Sequence, residues 1–180
     1  LAKHRQDKGY GPGVVTVVTK KNIFRKSDGL FLEVCAQEIE KIGGLEQKHV
    51  YVDEAARQVV ASPENFDVVV TSNLFADIMS DVASEIMGGM PMCPSASIGE
   101  KHAYFESCHG SAPDIAGQNK ANPAATILSG AMMLEHLGYD DEARRLFSAV
   151  FSTIESGVKT GDLGGSASTS DFSDAVCSRL

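Results

Sequence analysis

An α/β protein is predicted by three features of the chain: short β-branched runs bounded by turn residues, helical-period segments alternating with those runs, and ionisable residues placed directly after them. The opening LAKHR has no initiator Met and reads as the end of a polar helix before the turn Gly9-Tyr10-Gly11-Pro12-Gly13, which implies further chain upstream. VVTVVT at 14–19 reads as a buried strand. Ser27 or Asp28 is expected to cap a helix over 29–42, whose inward face is drawn by Leu30, Phe31, Val34, Cys35, Glu38 and Ile42 before Gly43-Gly44 stops it. Residues 49–52 read as a strand, 54–61 as a helix, 66–71 (FDVVVT) as another buried strand, and 74–87 as a helix. Residues 88–113 carry Pro91, Pro94 and Pro113 among Gly and Ser, the composition of loops and short strands. Asn122-Pro123 starts a helix over 124–137 that Gly138 ends; Asp140-Asp141-Glu142 opens another to about 158; a last helix follows Ser170-Asp171.

Composition narrows the function. With 180 residues, 43% hydrophobic and 22% charged, the chain can bury a real core. Sixteen Lys and Arg stand against 24 Asp and Glu, so a net charge of −8 argues against nucleic acid as a partner, and any anionic ligand must be held by local cations, a metal or backbone N–H groups. No apolar run reaches the roughly 18–20 residues of a membrane span. Cys35, Cys93, Cys108 and Cys177 show no C-x-x-C spacing, which fits reduced thiols in a cytosol-like compartment and no zinc ribbon. Cys35, Cys177 and the six methionines are expected to pack in the core.

The segment Asn73-Leu74-Phe75-Ala76-Asp77-Ile78-Met79-Ser80-Asp81 sets two carboxylates four apart near a helix start. Alone such a pair is a solvated helix face. Here it follows a strand end, where open α/β sheets place ligand crevices, and a hard divalent cation would relieve the repulsion. Asp53 and Lys20 also follow strands; singly they are a helix cap and a solvated lysine, but parallel strands would bring all four groups to one edge. The loop His109-Gly110-Ser111-Ala112-Pro113-Asp114-Ile115-Ala116-Gly117, running on to Asn122, is no Walker loop; it offers a backbone-shaped pocket with an imidazole, and a carboxylate able to take two ribose hydroxyls while repelling a 2′-phosphate.

These motifs, with Lys20-Lys21-Asn22-Ile23, Tyr51-Val52-Asp53, Pro94-Ser95-Ala96-Ser97-Ile98-Gly99 and Asp162-Leu163-Gly164-Gly165, occur in the order and spacing of a known family. The chain resembles the C-terminal half of isocitrate and isopropylmalate dehydrogenases, the β-hydroxyacid oxidative decarboxylases. That resemblance implies an isopropylmalate dehydrogenase-like two-domain fold lacking its N-terminal half, with residues 1–87 part of the smaller, dimer-forming domain and 88–180 the C-terminal part of the larger one. It implies Lys20 as catalytic lysine, Asp53, Asp77 and Asp81 as ligands of Mg²⁺ or Mn²⁺, with Asp53 also counted as catalytic, and Asn22 beside substrate and nicotinamide. His109, Gly110, Ala112, Asp114, Ile115 and Asn122 would hold the adenosine of NAD, because NADP-using members tend to carry Lys and Tyr at the places of Asp114 and Ile115. Lys159, Thr160 and Asp162 approach the cofactor by family position, though their local sequence reads as a turn.

The implied chemistry is oxidation of a small anionic hydroxy acid, loss of CO₂ and return of a proton to carbon, in a homodimer whose Lys20 and Asp53 reach the neighbouring subunit's site. Ser27 to Phe31 and Ser166 to Phe172 look more like isocitrate enzymes, and Pro94 to Ser97 more like isopropylmalate enzymes; isocitrate is favoured, with isopropylmalate, homoisocitrate and tartrate as alternatives. A non-catalytic regulatory subunit ranks lower because Lys20, Asp53, Asp77 and Asp81 are all present. The isolated 180 residues are expected to be inactive, the other half being either removed or a separate chain. The expected location is cytoplasmic, or the mitochondrial matrix in a eukaryote.

Overall fold

A computed structural model describes all 180 residues. They form two compact units, Leu1–Ala83 and Ser84–Leu180. The first contains α1 (Ala2–Asp7), β1 (Val14–Thr19), α2 (Ser27–Ile42), β2 (Glu46–Tyr51), α3 (Val52–Ala61), β3 (Val68–Val70) and most of α4 (Asn73–Ile86). Its sheet has the order β2-β1-β3 and is wholly parallel, with Thr19 opposite Tyr51 and Val17 opposite Val70. Because every strand runs the same way, their carboxyl ends share one edge; the chain passes from central β1 to β2 on one side and then crosses over to β3 on the other.

The alternation of strand side chains assigns the two faces. Val15 and Val17 pack with Phe31, Leu32, Cys35 and Ile39 of α2, whereas Val18 packs with Ala55 of α3 and Met79 of α4. β1 is buried along its whole length, as its β-branched run requires. β3 is only half-buried and spans three residues rather than the six expected at 66–71, because Phe66 and Asp67 belong to the turn that enters it. The inward face of α2 also differs: Leu30, Val34 and Ile42 are exposed, and Leu32 and Ile39 turn inward instead. Neither Ser27 nor Asp28 caps that helix, which starts after Lys26; Asp28 instead accepts the Lys20 backbone N–H at 2.7 Å. β2 ends at Tyr51, so Val52 and Asp53 lie in the first turn of α3 and Asp53 is not its cap.

Asp67 ties this unit together. Its side chain is 3% exposed and accepts from Arg5 Nε (2.7 Å), Gly13 N (3.0 Å) and Val14 N (3.2 Å), joining α1 and the entrance of β1 to the entrance of β3. Burial alone pushes this carboxyl up, but the Arg5 guanidinium and the two backbone donors outweigh it and hold the group below the ordinary carboxylate range.

The second unit contains the antiparallel hairpin β4 (Pro94–Ile98) and β5 (Ala103–Ser107), then α5 (Ala124–His136), α6 (Asp140–Glu155) and α7 (Thr169–Cys177). Its core is Met92, Ala124, Leu128, Ala149, Val150, Phe172 and Val176. Ser129 on α5 joins helix to hairpin, its Oγ lying 2.6 Å from Glu106 O and accepting the Ser95 N–H at 3.3 Å. Gly157, at φ +90°, ends α6 after Glu155, short of the expected 158. α7 opens one residue earlier than Ser170, behind a reciprocal capping box between Ser168 and Asp171. Cys177 is exposed, as are Met87 and Met133, so these three are not the core residues expected of them.

Candidate active site

At the carboxyl edge of the first unit's sheet, Lys20 is the residue immediately after the central strand. Its Nζ is ion-paired with Asp53 Oδ1 and lies 5.9 Å from the centre of the Tyr51 ring, so the last residue of β2 and the first turn of α3 together position the ammonium. The Lys20 ammonium, and then the backbone N–H of Asp53 itself, hold the Asp53 carboxyl below the ordinary carboxylate range. Tyr51 is braced edge-on by His49 at 5.2 Å, and His49 Nε2 lies 2.9 Å from the buried Thr19 hydroxyl. Burial, and then the charge of Lys21, shift the His49 pKa down. Asn22 is exposed in the turn that closes when the N–H groups of Ile23 and Phe24 donate to Lys20 O.

Asp77 and Asp81 lie on α4, one turn apart and both exposed, with Met79 between them turned into the core. The chain thus presents two hard oxygen ligands on one side of a helix. No three His, Cys, Asp or Glu side chains of the chain converge on one point, and Asp53 stands with Lys20 and does not complete a cage with Asp77 and Asp81. A cation held there would need further oxygen ligands beyond these two carboxylates.

The second unit carries a cavity of about 610 Å³, large enough for an adenosine-sized group. His109, Gly110, Ala112, Ile115 and Asn122, all singled out in the sequence, line it. Asp114 does not: its side chain is exposed beside them. Within the wall Ala112 adopts φ +41° and Asn119 φ +57°, left-handed conformations uncommon for side-chain-bearing residues and concentrated at functional loops. His109 Nδ1 lies 2.9 Å from Gly110 O, while its Nε2 is buried with no hydrogen-bond partner in the protein.

Asn122, almost fully buried, is the joint of this wall. Its Oδ1 accepts the Ala124 N–H at the start of α5 (2.9 Å), and its Nδ2 donates to Asp162 Oδ2 (2.9 Å) and faces Met92 Sδ at 3.6 Å. The helix boundary itself sits at Pro123, one residue after the expected cap, but Asn122 supplies the capping bond. Asn119, Lys120, Asp162 and Thr169 also line the cavity. Asn119 and Thr169 were not recognisable in the sequence, since they act through hydrogen bonds between segments: Thr169 N and Oγ1 donate to Asn119 O (3.0 Å) and Ala121 O (2.5 Å), and Ser170 N to Asn119 Oδ1 (3.1 Å).

The isocitrate/isopropylmalate dehydrogenase family model matches residues 2–176. The chain is 46% identical over 171 residues to a probable mitochondrial isocitrate dehydrogenase [NAD] subunit alpha of Caenorhabditis elegans, covering 94% of this chain and 48% of that protein. It is 45% identical over 166 residues to a 3-isopropylmalate dehydrogenase of Archaeoglobus fulgidus, covering 92% and 51%. The solved isocitrate dehydrogenase of Methylococcus capsulatus superposes with TM-score 0.89 at 41% identity, over 99% of this chain and 53% of that one. A β-decarboxylating dehydrogenase of Thermococcus kodakarensis superposes equally well, TM-score 0.89, at 34% identity, over 99% and 52%. The chain spans about half the length of the relatives it matches. With this sequence match, mixed α/β fold and site, it belongs to the isocitrate/isopropylmalate dehydrogenase family.

Proposed function

We propose that the protein to which these residues belong oxidatively decarboxylates a 2-hydroxy acid, isocitrate ahead of isopropylmalate, with NAD as hydride acceptor and Mg²⁺ or Mn²⁺ as cofactor. The observation that carries this reading is the Lys20–Asp53 pair at the carboxyl edge of a parallel sheet whose β3 leads into the Asp77 and Asp81 helix. NAD, bound in the cavity of the second unit, would supply the hydride acceptor, and a divalent ion held by Asp77 and Asp81 would supply Lewis acidity toward the substrate's hydroxyl and carboxylate oxygens. Lys20 Nζ would accept the substrate hydroxyl proton, directly or through a water, as the neutral amine, after its ammonium has given up a proton to solvent; a cation that drew the Asp53 carboxylate away from it would favour that neutral form. Asp77 and Asp81 fit such a cation as hard oxygen donors, the remaining ligands coming from substrate and from the Asp53 of a second copy. Asn22 stands within the turn after Lys20 to orient the substrate.

The cavity of the second unit would take the adenosine of NAD, with the His109 imidazole, its Nε2 in need of a partner, against it. A homodimer with shared sites is supported by apolar side chains left exposed on the first unit, among them Ile23, Phe24, Leu30 and Val34. No helix is long and apolar enough to cross a membrane. These 180 residues span about half the length of the matched relatives, and we propose that alone they do not turn over the substrate. The test is turnover of isocitrate, isopropylmalate, homoisocitrate and tartrate by the full-length protein with NAD and with NADP, with and without Mn²⁺. Isocitrate with NAD, silenced by chelation, is the expected outcome. Activity confined to isopropylmalate overturns the substrate, and no turnover of any acid with the protein folded favours a regulatory subunit.

A further inference from the structure

We propose that Cys93 and Cys108 form a reversible cross-strand disulfide, made by exchange with a small-molecule disulfide of the glutathione class, at the edge of the nucleotide-sized cavity. The β4–β5 ladder pairs Pro94 with Ser107, and one step further the Cys108 N–H donates to Cys93 O at 3.2 Å, so the two cysteines stand directly opposite each other at a hydrogen-bonded position. Directly opposed residues project from the same face of a hairpin, and at such a position their Cα atoms are about 5.5 Å apart. That lies inside the roughly 4.4–6.8 Å a disulfide bridges without backbone movement. The Cys108 thiol already reaches across the ladder, its Sγ lying 3.6 Å from the carbonyl of Pro94, the residue next to Cys93. None of the four cysteines is in a disulfide, and the pair is asymmetric, Cys108 exposed and Cys93 half-buried.

The asymmetry orders the chemistry. The Cys108 thiolate attacks one sulfur of oxidised glutathione, forming a mixed disulfide and expelling one glutathione thiolate. The Cys93 thiolate then attacks the Cys108 sulfur, forming the Cys93–Cys108 bond and expelling the second. Two protein thiols are oxidised, one small disulfide is reduced to two thiols, and the two protons lost by the cysteines are taken up by the departing thiolates. The bond lies two residues after Pro91 and one before His109, both of which line the cavity, so it ties together the two segments that bring those side chains to its wall. The site stands independently of what the cavity binds.

The test is to incubate the purified protein with oxidised glutathione and map its tryptic peptides without reduction, alongside C35S/C177S, C93S and C108S. The expected result is a linked Cys93–Cys108 peptide in wild type and C35S/C177S, lost on treatment with dithiothreitol, with two thiols remaining of the wild type's four. C93S should instead stop at the mixed disulfide on Cys108, which keeps the test decisive even if C108S fails to fold. Glutathione left on Cys108 in wild type without a link, or Cys108 linked to Cys35 or Cys177, overturns the proposal. Amide exchange over residues 108–112 is expected to slow several-fold in the oxidised protein; unchanged exchange there overturns the coupling to the cavity wall.

Discussion

Replacing Asp67 tests the stability of the first unit most directly. In wild type a carboxylate that is 3% exposed accepts three N–H bonds at 2.7, 3.0 and 3.2 Å, one of them from a guanidinium. Asp67→Ala leaves the Gly13 and Val14 donors and the Arg5 charge without their acceptor, and removing one partner of such a buried charged network costs about 3–5 kcal/mol. Asp67→Asn keeps the volume and one acceptor oxygen but turns amide protons toward donors, for a loss of about 2 kcal/mol. The pH dependence has a definite sign. A carboxyl whose folded pKa is depressed contributes stability that is fully present above its unfolded value of about 3.9 and is lost as pH falls through the folded value. Urea unfolding followed by circular dichroism should therefore show a wild type to Asp67→Asn gap that is constant above about pH 5 and narrows as the pH falls below the ordinary carboxylate range. A gap below about 0.5 kcal/mol for Asp67→Ala at neutral pH, or one indifferent to acid, would refute the argument.

Gly165→Ala places a Cβ 2.0 Å from Lys159 O, a backbone atom that cannot yield, and should cost about 3 kcal/mol or more in the unfolding of the second unit. Asn122→Ala strands the Ala124 N–H and the Asp162 carboxylate and should lower stability by about 1–3 kcal/mol while weakening NAD binding by the full-length protein, read by calorimetry. Asp77→Asn with Asp81→Asn removes both charged oxygens from α4, and Mn²⁺ affinity of the full-length protein should fall at least tenfold in a fluorescence titration. Asp114→Lys with Ile115→Tyr should move the cofactor preference from NAD toward NADP; because Asp114 lies outside the cavity lining, an unmoved preference would remove it from the nucleotide site.

What the sequence revealed of this fold divides along a physical line. β1 was legible because six consecutive β-branched residues admit little else, and the order of elements followed from alternating periods. The edge of the sheet was legible too, since Lys20, Asp53 and Asp77 each follow a strand. The facing of α2 was not, because Leu30 and Val34 are as apolar as Leu32 and Ile39, and only the position of the sheet decides which pair turns inward. The role of Asp28, read as a helix cap, and that of Asp67 were missed for a related reason: their partners, Lys20 N, Arg5 and Gly13, are distant in sequence or belong to the backbone, which carries no residue signature. In the second unit the loop from His109 to Asn122 was found by its Gly and Pro content, whereas the walls that Asn119 and Thr169 add appear only once the chain has folded.

The bonds from Thr169 and Ser170 to Asn119 and Ala121 span 48 to 51 residues, and α7, which supplies them, is the last helix of the chain. A ribosome making this protein therefore releases the His109 loop long before the segment that props it exists, and the loop must wait for α5, α6 and α7 to dock in turn. The wall of the cavity is consequently completed only after α7 has been made and docked, and loosening of α7 loosens that wall.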